Sequence, residues 1–463
     1  MKVEQIYTSC LSQGAYFIES NGEAAVIDPL REISNYLKLA EDSNSKIKYV
    51  FETHFHADFI SGHLTLANKT GAKIVYGPQA DPNFESIIAE DNQVFKIGAV
   101  TITAIHTPGH TLESTSYILK DENGKEHCIF TGDTLFLGDV GIPDVAQRYM
   151  GVSKEELAGI LYESVNNRIK PLPDNILVYP GHGAGSACGK NMMKETVDTL
   201  ENQKKINYAL NGSFSKEGFV KELTDNLPEP PTYFPSNVKL NQEGYLDFDK
   251  VLGRGLIPLE LEKFINLSSQ ENTIILDVRN QNIFKNGFVP GSIFIGLNGG
   301  FAPWVGAVLK DINIKILLVC EEGQAKEAIM RLSRVGFDNC LGYLEGGFKT
   351  WGNSSNPIDT IDSMGAKEFE KSINDNINIL DVRQFGERNN GYLKNSEHIP
   401  LALIDSDNKS LNKSLKYYIH CAGGYRSMIA CSILKKNGFD NTIDIEGGFG
   451  SISNNTSLEI LQN

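Results

Sequence analysis

A chain of 463 residues, 41% of them hydrophobic, is long enough for two or three packed domains and is globular rather than disordered or fibrous. Its 43 basic and 58 acidic side chains leave a net charge of −15, and no run of Lys and Arg reverses that locally, which excludes nucleic acid and anionic membrane as main partners. The start, Met1-Lys2-Val3-Glu4-Gln5, leads into no long apolar segment, so the expected compartment is the cytoplasm; seven cysteines without regular spacing read as thiols rather than disulfide staples.

Residues 5–28 alternate apolar and polar and break at Asn21-Gly22, which predicts two opening antiparallel strands. Asp28-Pro29 closes the second strand, and residues 31–42 read as a helix. Next, Lys48-Tyr49-Val50-Phe51-Glu52 is a strand-like run that opens into Thr53-His54-Phe55-His56-Ala57-Asp58-Phe59-Ile60-Ser61-Gly62-His63. Of nine histidines in the chain, this stretch holds His54, His56 and His63. Two His separated by one residue point the same way on an extended backbone, and Asp58 adds an oxygen donor two residues on, so the stretch reads as a metal site. Leu64-Thr65-Leu66-Ala67 then starts another helix.

The pattern recurs downstream. A strand pair around Val94–Thr103 delivers His106-Thr107-Pro108-Gly109-His110-Thr111, where Pro-Gly forces a turn. Cys128-Ile129-Phe130 ends in Thr131-Gly132-Asp133, and Ile176-Leu177-Val178-Tyr179 ends in Pro180-Gly181-His182-Gly183. Four successive strands thus end in a potential metal ligand, a more specific signal than any one of the motifs.

On these residues the stretch 1–240 resembles the metallo-β-lactamase superfamily. That family's pattern is His-x-His-x-Asp-His, a lone His, a bridging Asp and a last His, on two β-sheets sandwiched between helices. His54, His56, Asp58, His110, Asp133 and His182 match it, whereas Phe59 stands in place of the third His of the first motif. The resemblance implies that in two-zinc members such as glyoxalase II that His and Asp58 help hold the second metal. A phenylalanine donates nothing, so one metal per chain is expected. His56, His110 and Asp133 then make a two-His, one-carboxylate set, the arrangement of non-haem Fe(II) oxygenases with open positions for substrate and O2. It is also the iron site of the persulfide dioxygenases, which this stretch resembles more closely than the hydrolases. His54 is expected to hydrogen-bond a ligand and fix its orientation, with a fourth-ligand role as the alternative; Asp58 and His182 stand as further alternatives. His63, His106 and His127 read as structural or solvent-facing. Gly138-Asp139-Val140-Gly141-Ile142-Pro143-Asp144 resembles a family loop that usually carries Arg where this chain has Ile142.

The glycine-rich run from Gly181 through Cys188 to Lys190 lies between a strand and a helical segment, but it is neither a phosphate loop nor a dinucleotide fingerprint. Gly183 to Gly189 is one residue too long for the former, Asn191 replaces the Ser or Thr that would hold Mg²⁺, and the acidic partner of the latter cannot be placed. Such a backbone at a helix start can bind an anion. Cys188 reads as a packed thiol, with a sulfur-relay role as the alternative.

From Leu227 to Pro235 the chain is too proline-rich for helix or central strand and reads as a stiff extended connection. Beyond it lies an internal repeat. Ile275-Leu276-Asp277-Val278-Arg279 recurs at Ile379-Leu380-Asp381-Val382-Arg383, Gly336-Phe337-Asp338-Asn339 at Gly438-Phe439-Asp440-Asn441, and Glu345-Gly346-Gly347-Phe348 at Glu446-Gly447-Gly448-Phe449, with spacings of 104, 102 and 101 residues. Strands alternating with helical stretches at that period mean two copies of one α/β domain with a mainly parallel sheet.

These motifs, with a cysteine where a strand meets a loop, resemble the rhodanese sulfurtransferases. In the second copy Tyr417-Tyr418-Ile419-His420 ends at Cys421, followed by Ala422-Gly423-Gly424-Tyr425-Arg426-Ser427. A loop opening a helix presents backbone N–H groups to the sulfur and stabilises a persulfide anion, and Arg426 adds positive charge. In the first copy, counting back from the shared Gly-Phe-Asp puts Val319 opposite Cys421, and Cys320 aligns only if the loop is one residue shorter. Glu321-Glu322 brings negative charge, and no Arg matches Arg426. This copy is expected to be degenerate and structural.

The expected fold class is a multidomain α+β and α/β chain, a metallo-β-lactamase αββα sandwich followed by two rhodanese-like α/β domains with mainly parallel sheets. The expected domains are 1–245, 250–355 and 358–463. That order resembles the multidomain persulfide dioxygenase–sulfurtransferases and implies oxidation of a low-molecular-weight persulfide, on glutathione, CoA or a similar thiol, by O2 at one Fe(II) to sulfite. Sulfur transfer through Cys421 between persulfide, sulfite and thiosulfate accompanies it, and a homo-oligomer is compatible with this reading. The rivals are a zinc thioester hydrolase of the glyoxalase II type with sulfur-binding modules, and a non-enzymatic persulfide sensor or carrier.

Overall fold

The computed structural model describes residues 1–143, 151–225, 227, 230–373 and 377–462. Asp144 of the family-like loop and residues 228–229 of the proline-rich run lie outside them. The chain separates into two compact units, Met1–Lys250 with Ser333–Gly336, and Val251–Leu332 with Phe337–Asn463. Among the described residues no helix is long and apolar enough to cross a membrane.

The first unit is built on two six-stranded sheets whose strands follow chain order. Asn21 and Gly22 take positive φ at the turn between Gln13–Ser20 and Glu23–Ile27, as the hairpin signal requires, and those strands pair antiparallel. Alternation along the strands divides their side chains between three apolar layers. Ile18, Ile27 and Phe51 of one sheet meet Ile102, Tyr117 and Phe130 of the other in the central layer. Phe17 and Val26, on the opposite face of the first sheet, pack on Tyr36 and Ala40 of the helix Ser34–Asp42. Ile118 and Ile129 pack on Ala158 and Leu161 of the helix Lys154–Ser164, which opens with a Ser153–Glu156 capping box. This is the expected αββα sandwich. The proline-rich run differs from expectation at its end. Pro235 lies in the first turn of the helix Phe234–Glu243, where its fixed φ is compatible with helix.

The second unit contains two five-stranded parallel sheets of the same strand order. The repeated motifs make the same local structure twice. Arg279 forks onto Asp277, donates to the Gly287 carbonyl at 2.9 Å and lies over the Phe348 ring. Arg383 does the same with Asp381, the Gly391 carbonyl at 2.9 Å and Phe449. Leu-Asp-Val-Arg and Glu-Gly-Gly-Phe recur together because one motif's guanidinium rests on the other's ring.

Candidate metal centre and cysteine loop

Four strand ends of the first unit converge. Lys46–Phe51 leads to His54, His56 and Asp58, Val100–His106 to His110, Glu126–Gly132 to Asp133, and Leu177–Pro180 to His182. All six side chains are buried. Asp133 is at their centre, with its Oδ2 3.5 Å from His110 Nε2 and 3.9 Å from His54 Nε2, and its Oδ1 3.7 Å from His182 Nε2.

Two of the imidazoles are held by their other nitrogen. His110 Nδ1 donates to the Ile142 carbonyl at 2.6 Å, which leaves its Nε2 as the lone-pair nitrogen facing Asp133. Thr53 Oγ1 donates to Asp28 Oδ2 and accepts from His54 Nδ1 at 2.9 Å, so His54 takes the same tautomer. Ile142, standing where the resembling loop carries Arg, contributes its backbone and brings no charge.

His54, His110 and Asp133 each offer a ligand atom to one point, as do Asp58, His182 and Cys188. The geometry therefore corrects the expected triad: His54, not His56, stands with His110 and Asp133. His56 Nε2 turns to Asp28 Oδ1 at 3.1 Å and Glu52 Oε2 at 3.4 Å, and its ring lies 4.3 Å from that of Phe59. Phe59 replaces a donor and also packs against a neighbouring one. Asp28 and Glu52 are site residues that sequence reasoning missed; the signals were an acidic residue ending each of two adjacent buried strands. His63 is buried and stacked on Phe84 with its Nδ1 3.7 Å from Glu52 Oε1, which groups with Asp28 and His56, whereas His106 bonds the Leu112 carbonyl and His127 is exposed.

Among the described residues, neither oxygen of Asp133 has a hydrogen-bond partner, and neither has either nitrogen of His182. A carboxylate buried this way costs several kcal/mol unless a cation sits against it. The donor set fits a divalent metal. Cys188, fully buried, has its thiol pushed well above the ordinary range, by burial first and then by Asp58 and Asp133. The glycine-rich run around it differs from expectation. The next helix starts only at Leu200, and the N–H groups of Lys190 and Asn191 are taken by Asp139 Oδ2 at 2.7 and 2.6 Å, which already occupies that cradle with a carboxylate.

In the second unit Tyr417–His420 ends at Cys421, and the helix Tyr425–Lys436 starts four residues later. Gly424 N donates to Cys421 Sγ at 3.1 Å, and Ser427 Oγ lies 3.6 Å from it. Gly424 needs its φ of +95° to aim that N–H. The Cys421 and Ala422 carbonyls accept from Phe449 N and Gly450 N, while Gly423 faces open space. Tyr425 OH donates to the Gly296 carbonyl of the first copy at 2.6 Å. Arg426 is bound bidentately by Glu387 at 2.5 and 2.6 Å and interacts with the Cys421 sulfur.

Strand register resolves the alignment of the copies. Asp277 pairs with Val319 and Asp381 with His420, so Cys320 stands where Cys421 does. A cavity of about 930 Å³ is lined there by Arg279, Cys320, Glu321, Glu322 and Phe348. Burial, then Asp277 and Glu321, push the Cys320 thiol up to about 12.

Comparison with known proteins assigns residues 9–182 to the metallo-β-lactamase superfamily and residues 260–354 and 365–455 to the rhodanese-like domain. The mouse mitochondrial persulfide dioxygenase ETHE1 is 30% identical over 211 residues, 45% of this chain and 74% of that protein. A probable hydroxyacylglutathione hydrolase of Schizosaccharomyces pombe is 30% identical over 191 residues, 40% and 69% of the two chains. A metallo-β-lactamase structure from Staphylococcus aureus subsp. aureus COL superposes with a TM-score of 0.65 at 30% identity, over 74% of this chain and 98% of that one.

Proposed function

The chain belongs to the metallo-β-lactamase superfamily and carries two rhodanese-like domains, and from that premise we propose that it oxidises a low-molecular-weight persulfide with O2 at one Fe(II) to sulfite and passes sulfane sulfur through Cys421. The observation that carries this reading is the His54, His110 and Asp133 set, with Phe59 packed on the neighbouring His56 where a further donor would stand. Two imidazoles and one carboxylate leave positions open for two small ligands side by side. We assign the metal to residues 1–245, the silent copy to 250–355 and the sulfur carrier to 358–463.

His54, His110 and Asp133 would hold the iron, which when bound supplies the redox chemistry with O2. The protein's own part is orientation and exclusion. Ile142 and Thr53 fix the two imidazoles through their Nδ1 protons, and the buried rings of Phe59 and Phe136 pack against the neighbouring His56 and His182. At the other site the Cys421 thiolate attacks the outer sulfur of a donor, the donor's S–S bond breaks, and its electron pair leaves on sulfite or thiolate. Gly424 N–H and Ser427 Oγ hold the sulfur in place.

A zinc thioester hydrolase is the second reading, favoured by the hydrolase relatives and by the adjacent Asp58, His182 and Cys188 cluster, which would hold a second metal. Metal analysis of protein produced with iron and zinc both supplied decides between them. One iron per chain without S-lactoylglutathione hydrolysis supports the proposal, and two zinc ions with hydrolysis overturn it.

A further inference from the structure

Arg426 is the one cation that the cysteine loop carries in sequence, and in the fold it reaches the Cys421 sulfur with its charge already met by a carboxylate. Both of its terminal nitrogens donate to Glu387, and its guanidinium lies 5.7 Å over the ring of Trp304, which the first copy contributes. That copy is held against the loop by design of the backbone. Tyr425 is seated on Gly299, where a Cβ would come within 2.4 Å of the phenol ring, and the segment that seats it is bonded by Arg331 through the Leu297 and Gly299 carbonyls. The other arginines of the second copy's core are committed as well. Arg383 and Arg388 share Asp381. His420, which precedes the cysteine, is held down to about 4 by burial and brings no charge.

We propose that Glu387 is a specificity-determining residue of the Cys421 site: by neutralising Arg426 between its carboxylate and the Trp304 ring, it disfavours compact dianions such as thiosulfate and sulfite relative to thiol persulfides. The proposal rests on Cys421 being the sulfur carrier. A dianion must either displace Glu387 from a bidentate pair or approach an arginine whose charge is already balanced. A persulfide donor, RSSH, carries at most a single charge at its sulfurs and needs no such neutralisation. In both cases the Cys421 thiolate bonds to the outer sulfur and the old S–S bond breaks, the pair leaving as sulfite from thiosulfate or as RS⁻ from the persulfide. Nothing is oxidised overall.

Glu387→Gln in the full chain tests this. The side chain is a third exposed, at 34%, and the amide oxygen keeps the bond from Gln384 N, so the fold is retained; matching circular dichroism and melting temperature establish that. Loading of sulfur onto Cys421 is followed by mass spectrometry after rapid quenching, over a series of thiosulfate or glutathione persulfide concentrations. The expected result is a half-saturating thiosulfate concentration lower by about fivefold, the effect of one partly exposed charge, with the limiting rate and the glutathione persulfide curve unchanged. An unchanged or raised thiosulfate value, or parallel shifts for both donors, overturns the proposal. Cys421→Ser run alongside separates the premise: sulfur still acquired by that variant at the native rate means the carrier is another residue, and the reading of Cys421 falls instead.

Discussion

His56 Nε2 lies 3.1 Å from Asp28 Oδ1, and this contact decides which of two neighbouring histidines faces Asp133. Asp28 also takes the Thr53 N–H at 2.8 Å and its hydroxyl, so one buried carboxylate orients His54 through Thr53 and draws His56 away. The consequence is separable by mutation. His54→Ala is expected to abolish iron binding and O2 uptake. His56→Ala is expected to keep iron and instead lose roughly 3 kcal/mol of stability, because Asp28 and Glu52 lose the partner between them; iron content and thermal unfolding of the two variants check this.

The strand-end ligands, the hairpin and the 104-residue repeat are legible in sequence because each is a periodic or recurring signal. The choice between His54 and His56 is not. Alternation puts both on one side of an extended chain, and only Asp28, far back in the sequence, and Glu52 separate them. The glycine run at 181–190 likewise looks open until Asp139, from another loop, fills it. Contacts between segments remote in sequence, not local propensity, settle both.

Cys320→Ser is expected to leave sulfurtransferase rate unchanged, with no persulfide trapped on Cys320. The thiol is pushed to about 12 by burial, Asp277 and Glu321, and little thiolate exists near neutral pH. Mass spectrometry of persulfide-treated protein reads this directly.

Gly299→Ala is expected to lower Cys421 sulfurtransfer severalfold and leave O2 uptake intact. The added methyl meets the Tyr425 ring at 2.4 Å, and Tyr425 adjoins Gly424, whose N–H holds the sulfur. Parallel thiosulfate:cyanide and O2-electrode assays check the separation.

Burial raises the Asp444 carboxyl from 3.8 to about 7. A carboxyl raised in the folded state favours folding while protonated, so its contribution is whole below pH 3.8, fades as pH rises, and is lost above about 7. Asp444→Asn is expected to flatten that slope and to exceed the native protein by roughly 2–4 kcal/mol above pH 7, measured by hydrogen exchange of the helix Tyr425–Lys436 across that range.

Cys421→Ser keeps the loop but removes the nucleophile. The variant is expected to consume O2 with a small persulfide, to release sulfite without thiosulfate, and to draw no sulfur from thiosulfate. Chromatography of thiol-labelled products distinguishes this from unchanged thiosulfate formation, which points to Cys188.

The most direct measurement is O2 consumption by the iron-loaded full chain on adding glutathione persulfide, with sulfite quantified in the same sample. One O2 consumed for each sulfite formed, counting thiosulfate as sulfite that has gained a sulfane sulfur through Cys421, and loss of both in His110→Ala, is the predicted result. No O2 uptake by protein that holds one iron per chain would contradict the account.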